Sequence, residues 1–181
     1  MNYCSHCAAP VKHIIPPDDD RLRYVCPSCN LIHYQNPRLV VGSIPIWQNE
    51  ILLCLRDIEP RRGKWTLPAG YLENGESVAD GARRETMEET GARIDSLEPY
   101  LLFDIVHINQ IYLMFRSHLA EPAFHPTRES VDVRLFAAES IPWDEIAFPV
   151  IEKTLRCYLS DRETGQFPFQ IHSIQTRLTP G

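Results

Sequence analysis

Four cysteines in the first thirty residues constrain this chain more than any other feature. They form two pairs, Cys4-x2-Cys7 and Cys26-x2-Cys29, with eighteen residues between the pairs. A two-residue gap lets a tight turn aim two thiolates at one point, and the longer gap leaves room for a hairpin to bring the second pair alongside. Four converging thiolates make a closed tetrahedral site that suits Zn²⁺ and leaves no position for water. So short a segment cannot build a core alone, which makes the metal structural: its binding supplies the folding energy. His6 and His33 carry further donor atoms, but a complete Cys4 set leaves them no vacancy. Two disulfides in an exported protein are the alternative. The start, Met1-Asn2-Tyr3-Cys4-Ser5-His6-Cys7, lacks the basic-then-apolar plan of a secretory leader, so a cytoplasmic, reducing setting is expected. Cys54, in the apolar run Ile51–Leu55, and Cys157, in a predicted helix, read as packing residues.

Composition narrows the classes further. The 181 residues, 44% of them hydrophobic, fit one ordinary domain with a small appendage. A net charge of −6 argues against coating nucleic acid or an anionic membrane. The ribbon segment adds no basic face, because Lys12, Arg21 and Arg23 stand against Asp18, Asp19 and Asp20. No apolar run approaches the roughly 20 residues of a membrane span. The expected organisation is a zinc ribbon over 1–36, a main domain over 37–165 and a tail over 166–181. The tail alternates apolar and polar residues, as an edge strand or a segment crossing to a second copy would.

After Pro37 the pattern turns to strands. Arg38–Trp47 and Ile51–Arg56 flank a turn at Gln48–Glu50, and Lys64–Ala69 reads as one short strand. Leu97–His107 pairs with Gln110–Leu119, and Val131–Ala137 follows. Helices are predicted over Ser77–Thr90, which ends at Gly91, and from about Pro149 to Asp161. Strands dominate without alternating with helices, so the fold class is α+β, an α/β/α sandwich around a mixed sheet.

The Ser77–Thr90 helix carries an unusual acid cluster. Val78, Ala79, Ala82 and Thr86 make the side that packs on the sheet. Glu85, Glu88 and Glu89, at i, i+3 and i+4, gather beside that stripe. Three like charges repel there, and a divalent cation removes the objection. Oxygen-only ligands favour Mg²⁺ or Mn²⁺. A solvated acidic face is the plainer reading. Glu73 and Glu76 in the preceding loop, with Arg84 among the acids, weigh against it.

Gly70, Glu76 and Arg84-Glu85-Thr86-Met87-Glu88-Glu89-Thr90-Gly91-Ala92 together resemble the Nudix box, Gx5Ex7REUxEExGU. Every fixed letter matches, and only the apolar positions held by Thr86 and Ala92 depart from the usual type. The cysteine pairs, Tyr-Gln-Asn-Pro-Arg ahead of the box, and Ile141-Pro142-Trp143 after it extend the resemblance over nearly the whole chain. It is most similar to the ribbon-fused Nudix hydrolases that act on FAD or ADP-ribose. The resemblance implies hydrolysis of a nucleoside diphosphate linked to another moiety, releasing AMP. It implies metal ligation by Glu85, Glu88, Glu89 and the Ala69 carbonyl, with Glu76 and Arg84 orienting loop and helix. Glu129, just before a strand, is the candidate distal base, with Asp132 its rival.

On the substrate side, Arg56, and from the loop Arg61 and Arg62, are candidates to hold a phosphate. Trp65, Phe103, Tyr112 and Phe148 are candidates to stack on a ring, although core packing is the commoner role of such aromatics. The expected partner is a small nucleotide; a homodimer is compatible with the tail. An NADH pyrophosphatase is the alternative, disfavoured because Gln166-Phe167-Pro168-Phe169 only echoes the Ser-Gln-Pro-Trp-Pro-Phe-Pro stretch of those enzymes. A catalytically silent sensing module is disfavoured by the intact acids, and an RNA-processing enzyme by the charge.

Overall fold

The computed structural model describes residues 1–175, so the last residues of the expected tail, 176–181, lie outside the described residues. Contacts divide the chain into two units, with the boundary between Pro37 and Arg38.

In the first unit, β1 (Lys12–Ile14), β2 (Arg23–Val25) and β3 (Ile32–His33) form a three-stranded antiparallel sheet. Each cysteine pair closes through the same turn. Ala8 N–H donates to the Cys4 carbonyl and Asn30 N–H to the Cys26 carbonyl, both at 2.9 Å. The residue after each second cysteine turns left-handed, at φ 60° for Ala8 and 58° for Asn30. Asn tolerates that conformation well because its side chain can hydrogen-bond locally.

The second unit contains β4 (Arg38–Trp47), β5 (Glu50–Arg56), β6 (Trp65–Thr66), β7 (Ala69–Tyr71), α1 (Val78–Thr90), β8 (Ile94–Ile105), β9 (Gln110–Leu119), β10 (Ser130–Phe136), α2 (Pro149–Thr164) and β11 (Gln170–Ile174). The sheet runs β10-β5-β4-β9-β8-β11, with β6 added to β5 and β7 to β4. β4 lies parallel to β9 and β11 parallel to β8, while the other pairs are antiparallel. This is the expected mixed sheet. β4 is central and buried from Val40 to Ile46, which explains why that stretch is apolar apart from Ser43.

α1 packs on one face through Ala82 against Val41 and Phe115. α2 packs on the other, where Val150, Ile151, Leu155 and Tyr158 meet Ile44, Ile46, Leu101, Phe103 and Met114. Successive residues of β4 point to opposite faces, so Val41 serves one layer and Ile44 and Ile46 the other. Thr86, the polar occupant of an apolar box position, is fully buried and satisfied: its hydroxyl pairs with Ser43 Oγ and donates to the Ala82 carbonyl, each at 2.7 Å.

Three boundaries depart from expectation. Lys64–Ala69 is two strands, because Leu67-Pro68 crosses from the β5 side to the β4 side and Pro68 has no N–H to continue a ladder. β8 begins at Ile94, reaching back through register shifts between Ile94 and Leu97 and between Pro99 and Leu101. α2 runs on to Thr164 and stops where Gly165 turns left-handed. Among the described residues no helix is long and apolar enough to cross a membrane.

Candidate functional site

Local rules set the register of α1. Ser77 caps its start, the side chain accepting from Asp80 N–H at 3.1 Å, and Gly91 closes its end at φ 66° with its N–H on the Met87 carbonyl. Between these stops the helix turns Glu85 and Glu89 inward, to 7% and 5% exposure, and leaves Glu88 exposed. The acids therefore do not merely flank the buried side. Two of the three share it with Ala82 and Thr86; Val78 packs at its edge, as expected, and Ala79 is half-buried.

Arg84 ties loop and helix together. Its Nε and Nη2 grip Glu76 at 3.0 and 2.7 Å, and its Nη1 reaches Glu85 at 2.6 Å and Glu88 at 2.9 Å. Nη2 also donates to the Tyr71 carbonyl at 3.1 Å. Glu76 accepts the Glu73 N–H as well, at 2.7 Å. The guanidinium, helped by that amide, lowers the Glu76 carboxyl to about 2, so Glu76 stays ionised and the loop stays clamped.

Deeper in, Glu89 Oε2 accepts the Ala69 N–H at 3.0 Å and faces the buried Cys54 thiol at 3.7 Å. Burial raises the Glu89 carboxyl to about 8, opposed by the Ala69 amide and reinforced by the charges of Glu85 and Glu129. Burial also raises Glu85, against the pull of Arg84. Gly70 is required at its place, since a Cβ there would stand 2.3–2.5 Å from the Glu85 carboxyl. Glu129 is exposed, and its charge acts on both Glu85 and Glu89. Asp132 is paired with Arg134. Hard oxygen donors, two of them with carboxyls raised by burial and by neighbouring charges, fit a divalent cation of the Mg²⁺ type.

The substrate-side candidates separate. Arg56 is 9% exposed, at the end of β5, with its guanidinium 5.1 Å from the Phe148 ring centroid and its field lowering Glu89 and Tyr112. Its Nε donates to the Pro60 carbonyl at 3.1 Å, so it is anchored by the loop. Tyr112 is half-buried and near Tyr71, Arg56 and Glu89. Arg62 is occupied by Asp57, and Arg61 is exposed. Trp65 and Phe103 are not brought to the site. At 6% and 0% exposure both lie in the α2-side core, Trp65 edge-on to Phe136 and Phe103 stacked on His172. Tyr71, overlooked in the sequence, is the exposed aromatic beside Gly70. Gln110 Nε2 donates to its hydroxyl at 2.8 Å, and the Arg38 guanidinium lies 5.6 Å from its ring centroid. Its place in the box itself, one residue past Gly70, is the signal that could have found it.

In the first unit the sulfurs of Cys4, Cys7, Cys26 and Cys29 all lie within 4.8 Å of one another. Three of their separations are 3.7 Å (Cys4–Cys29), 3.4 Å (Cys7–Cys26) and 3.6 Å (Cys7–Cys29). A tetrahedron with Zn–S near 2.3 Å has edges of about 3.8 Å, so the cage fits that ion. The Cys29 N–H holds the Cys26 thiol down at about 6, while burial and the neighbouring sulfurs push Cys29 up to about 12.

Two family patterns match adjoining parts of the chain: Nudix N-terminal over residues 2–35 and NUDIX domain over residues 36–154. The chain belongs to the Nudix hydrolase family. A NUDIX hydrolase from Nitrosomonas europaea has a crystal structure that superposes with a TM-score of 0.94 at 48% identity, over 97% of this chain and 100% of that one. The human mitochondrial NAD(P)H pyrophosphatase NUDT13 is 28% identical over 170 residues, 92% of this Nudix chain and 45% of its own length. An ADP-ribose pyrophosphatase from Methanocaldococcus jannaschii is 41% identical over 58 residues, 32% of this chain and 34% of its own. The chain thus spans less than half the length of either of these two relatives.

Proposed function

We propose that this Nudix chain hydrolyses the pyrophosphate bond of a dinucleotide-like substrate, with NAD(P)H-type dinucleotides ahead of ADP-ribose and FAD. The reading rests on one observation: Glu85 and Glu89, buried, and Glu88, exposed, stand on one helix with the charge of Glu129 acting on the buried pair. Glu85, Glu88, Glu89 and the Ala69 carbonyl would hold Mg²⁺ or Mn²⁺. Such ions, when bound, polarise phosphate oxygens and acidify water. Arg84 and Glu76 keep the carboxylates in place for that load. Glu129 takes the proton of the attacking water as its oxygen bonds to phosphorus and the bridging P–O bond breaks. Arg56 draws the substrate phosphate toward Glu89, and Tyr71 and Tyr112 face its ring. The four cysteines would hold one structural Zn²⁺, which fits a reducing cytoplasm.

The order of substrates departs from the one the residues suggested, which put ADP-ribose and FAD first. The NAD(P)H relative matches along 92% of the chain, whereas the ADP-ribose relative matches 32%. The higher identity of that shorter match, 41% against 28%, keeps ADP-ribose as the second reading. Incubation with Mg²⁺ and NADH, ADP-ribose, FAD or capped RNA, with nucleoside monophosphates measured, separates them. NADH turning over with the highest kcat/KM supports the order. ADP-ribose or FAD ahead of NADH reverses it, and no turnover of any substrate with Mg²⁺ or Mn²⁺ removes the enzyme reading.

A further inference from the structure

Among the described residues, one buried side-chain polar atom has no hydrogen-bond partner: Nε2 of His33, on β3. A buried nitrogen left unpaired costs free energy, so it calls for an acceptor close by. β2–β3 pairing places His33 opposite Tyr24, and its imidazole lies close enough to the Cys4 sulfur to favour the ionised thiol. Cys4 is 3% exposed and already receives the His6 N–H at 3.4 Å. Four thiolates around Zn²⁺ leave the cluster with two net negative charges, and a cluster with buried sulfurs needs N–H donors around it.

We propose that His33 is the side-chain positioning residue of the four-cysteine cluster: its Nε2–H donates to the Cys4 thiolate once metal is held, without itself ligating. This rests on the zinc reading above. A metal-bound cysteine sulfur carries thiolate charge and is a strong acceptor for such an N–H. His33 therefore counts toward metal retention and leaves the coordination number at four.

The test uses the full chain as wild type, His33→Phe and His33→Gln. Each is loaded with Zn²⁺ and challenged with the chromogenic chelator 4-(2-pyridylazo)resorcinol; parallel samples are loaded with Co²⁺ and their thiolate-to-cobalt absorption recorded. His33→Phe should lose zinc at chelator concentrations roughly ten- to a hundredfold lower, the range for removing an outer hydrogen-bond partner of a metal ligand. His33→Gln, which keeps an N–H donor, should restore most of that retention, and all three should share one four-thiolate cobalt spectrum. Zinc held equally by His33→Phe and wild type overturns the proposal. Equal weakness of Phe and Gln overturns it too, by pointing to ring packing, as does a cobalt spectrum with a nitrogen ligand that His33→Phe abolishes. Wild-type protein that takes up neither metal is a separate failure, that of the zinc reading itself.

Discussion

Gly70 and Glu85 share a space that a single carbon would contest. Gly70→Ala would push a Cβ to within 2.3–2.5 Å of the Glu85 carboxyl. The carboxyl is the far end of a flexible chain, so it swings away and the fold survives. Turnover with Mg²⁺ should fall by roughly a hundredfold, the scale of a displacement near 1 Å in a reacting constellation, while the urea midpoint stays close to wild type. Unchanged turnover would remove Glu85 from the ligand set. Glu89 makes a second prediction. Its carboxyl is raised from an ordinary 4.5 to about 8, so between those values the folded chain binds the proton that the unfolded chain has released. Stability of the metal-free protein should then decrease as pH rises from about 5 to 8.5, and Glu85, also raised, adds in the same sense. Mn²⁺ should raise the thermal midpoint more at pH 8.5 than at pH 5, because at the lower pH it competes with a proton. A flat or rising metal-free profile across that window would contradict the burial argument. The letters of the box were legible residue by residue because spacing on a helix determines which acids meet. Trp65 and Phe103 took the core-packing role because burial, not ring chemistry, decides whether an aromatic is available, and burial depends on partners such as Phe136 and His172 far away in the chain.

α1 is the element that turns these residues into a site, and its register depends on its ends. Ser77→Ala removes the oxygen that accepts Asp80 N–H and should cost about 1 kcal/mol in urea unfolding. A change indistinguishable from zero would mean that the cap is redundant with packing. β11 is held differently. Asp161 on α2 accepts from the Tyr100 hydroxyl on β8 at 2.6 Å and from Gln170 Nε2 at 2.9 Å, so one carboxylate joins the last strand to the helix and its neighbouring strand. Tyr100→Phe should destabilise by about 2 kcal/mol, as for a lost hydrogen bond to a charged group, and should speed amide exchange in β11 ahead of the central strands. Equal acceleration everywhere would show that the clasp is not local. Both helices and most strands were readable from periodicity and stop signals, such as Gly91 after Thr90. What was not readable depended on partners: Lys64–Ala69 splits because its halves pair with different strands, and β8 lengthens through bulges that only β9 reveals.

At the scale of the molecule, the mixed sheet explains why the acids gather where they do. β7, carrying Gly70, adds to central β4, and β4 pairs with β5, whose Arg56 and Cys54 lie near Glu89. The chain's net charge of −6 is largely the work of the Gly70–Ala92 segment, where six acids meet two arginines. Acidity that would repel a pyrophosphate in the bare chain attracts one when cations fill the cluster. That is the central claim, and steady-state hydrolysis of NADH and ADP-ribose in saturating Mg²⁺ by wild type and a Glu88→Gln/Glu89→Gln double variant tests it most directly. The account predicts that the variant folds with the wild-type circular dichroism spectrum and loses at least roughly a thousandfold in kcat, the upper range for removing electrostatic stabilisation at a reacting centre. A variant that folds and turns over either substrate at the wild-type rate would contradict it.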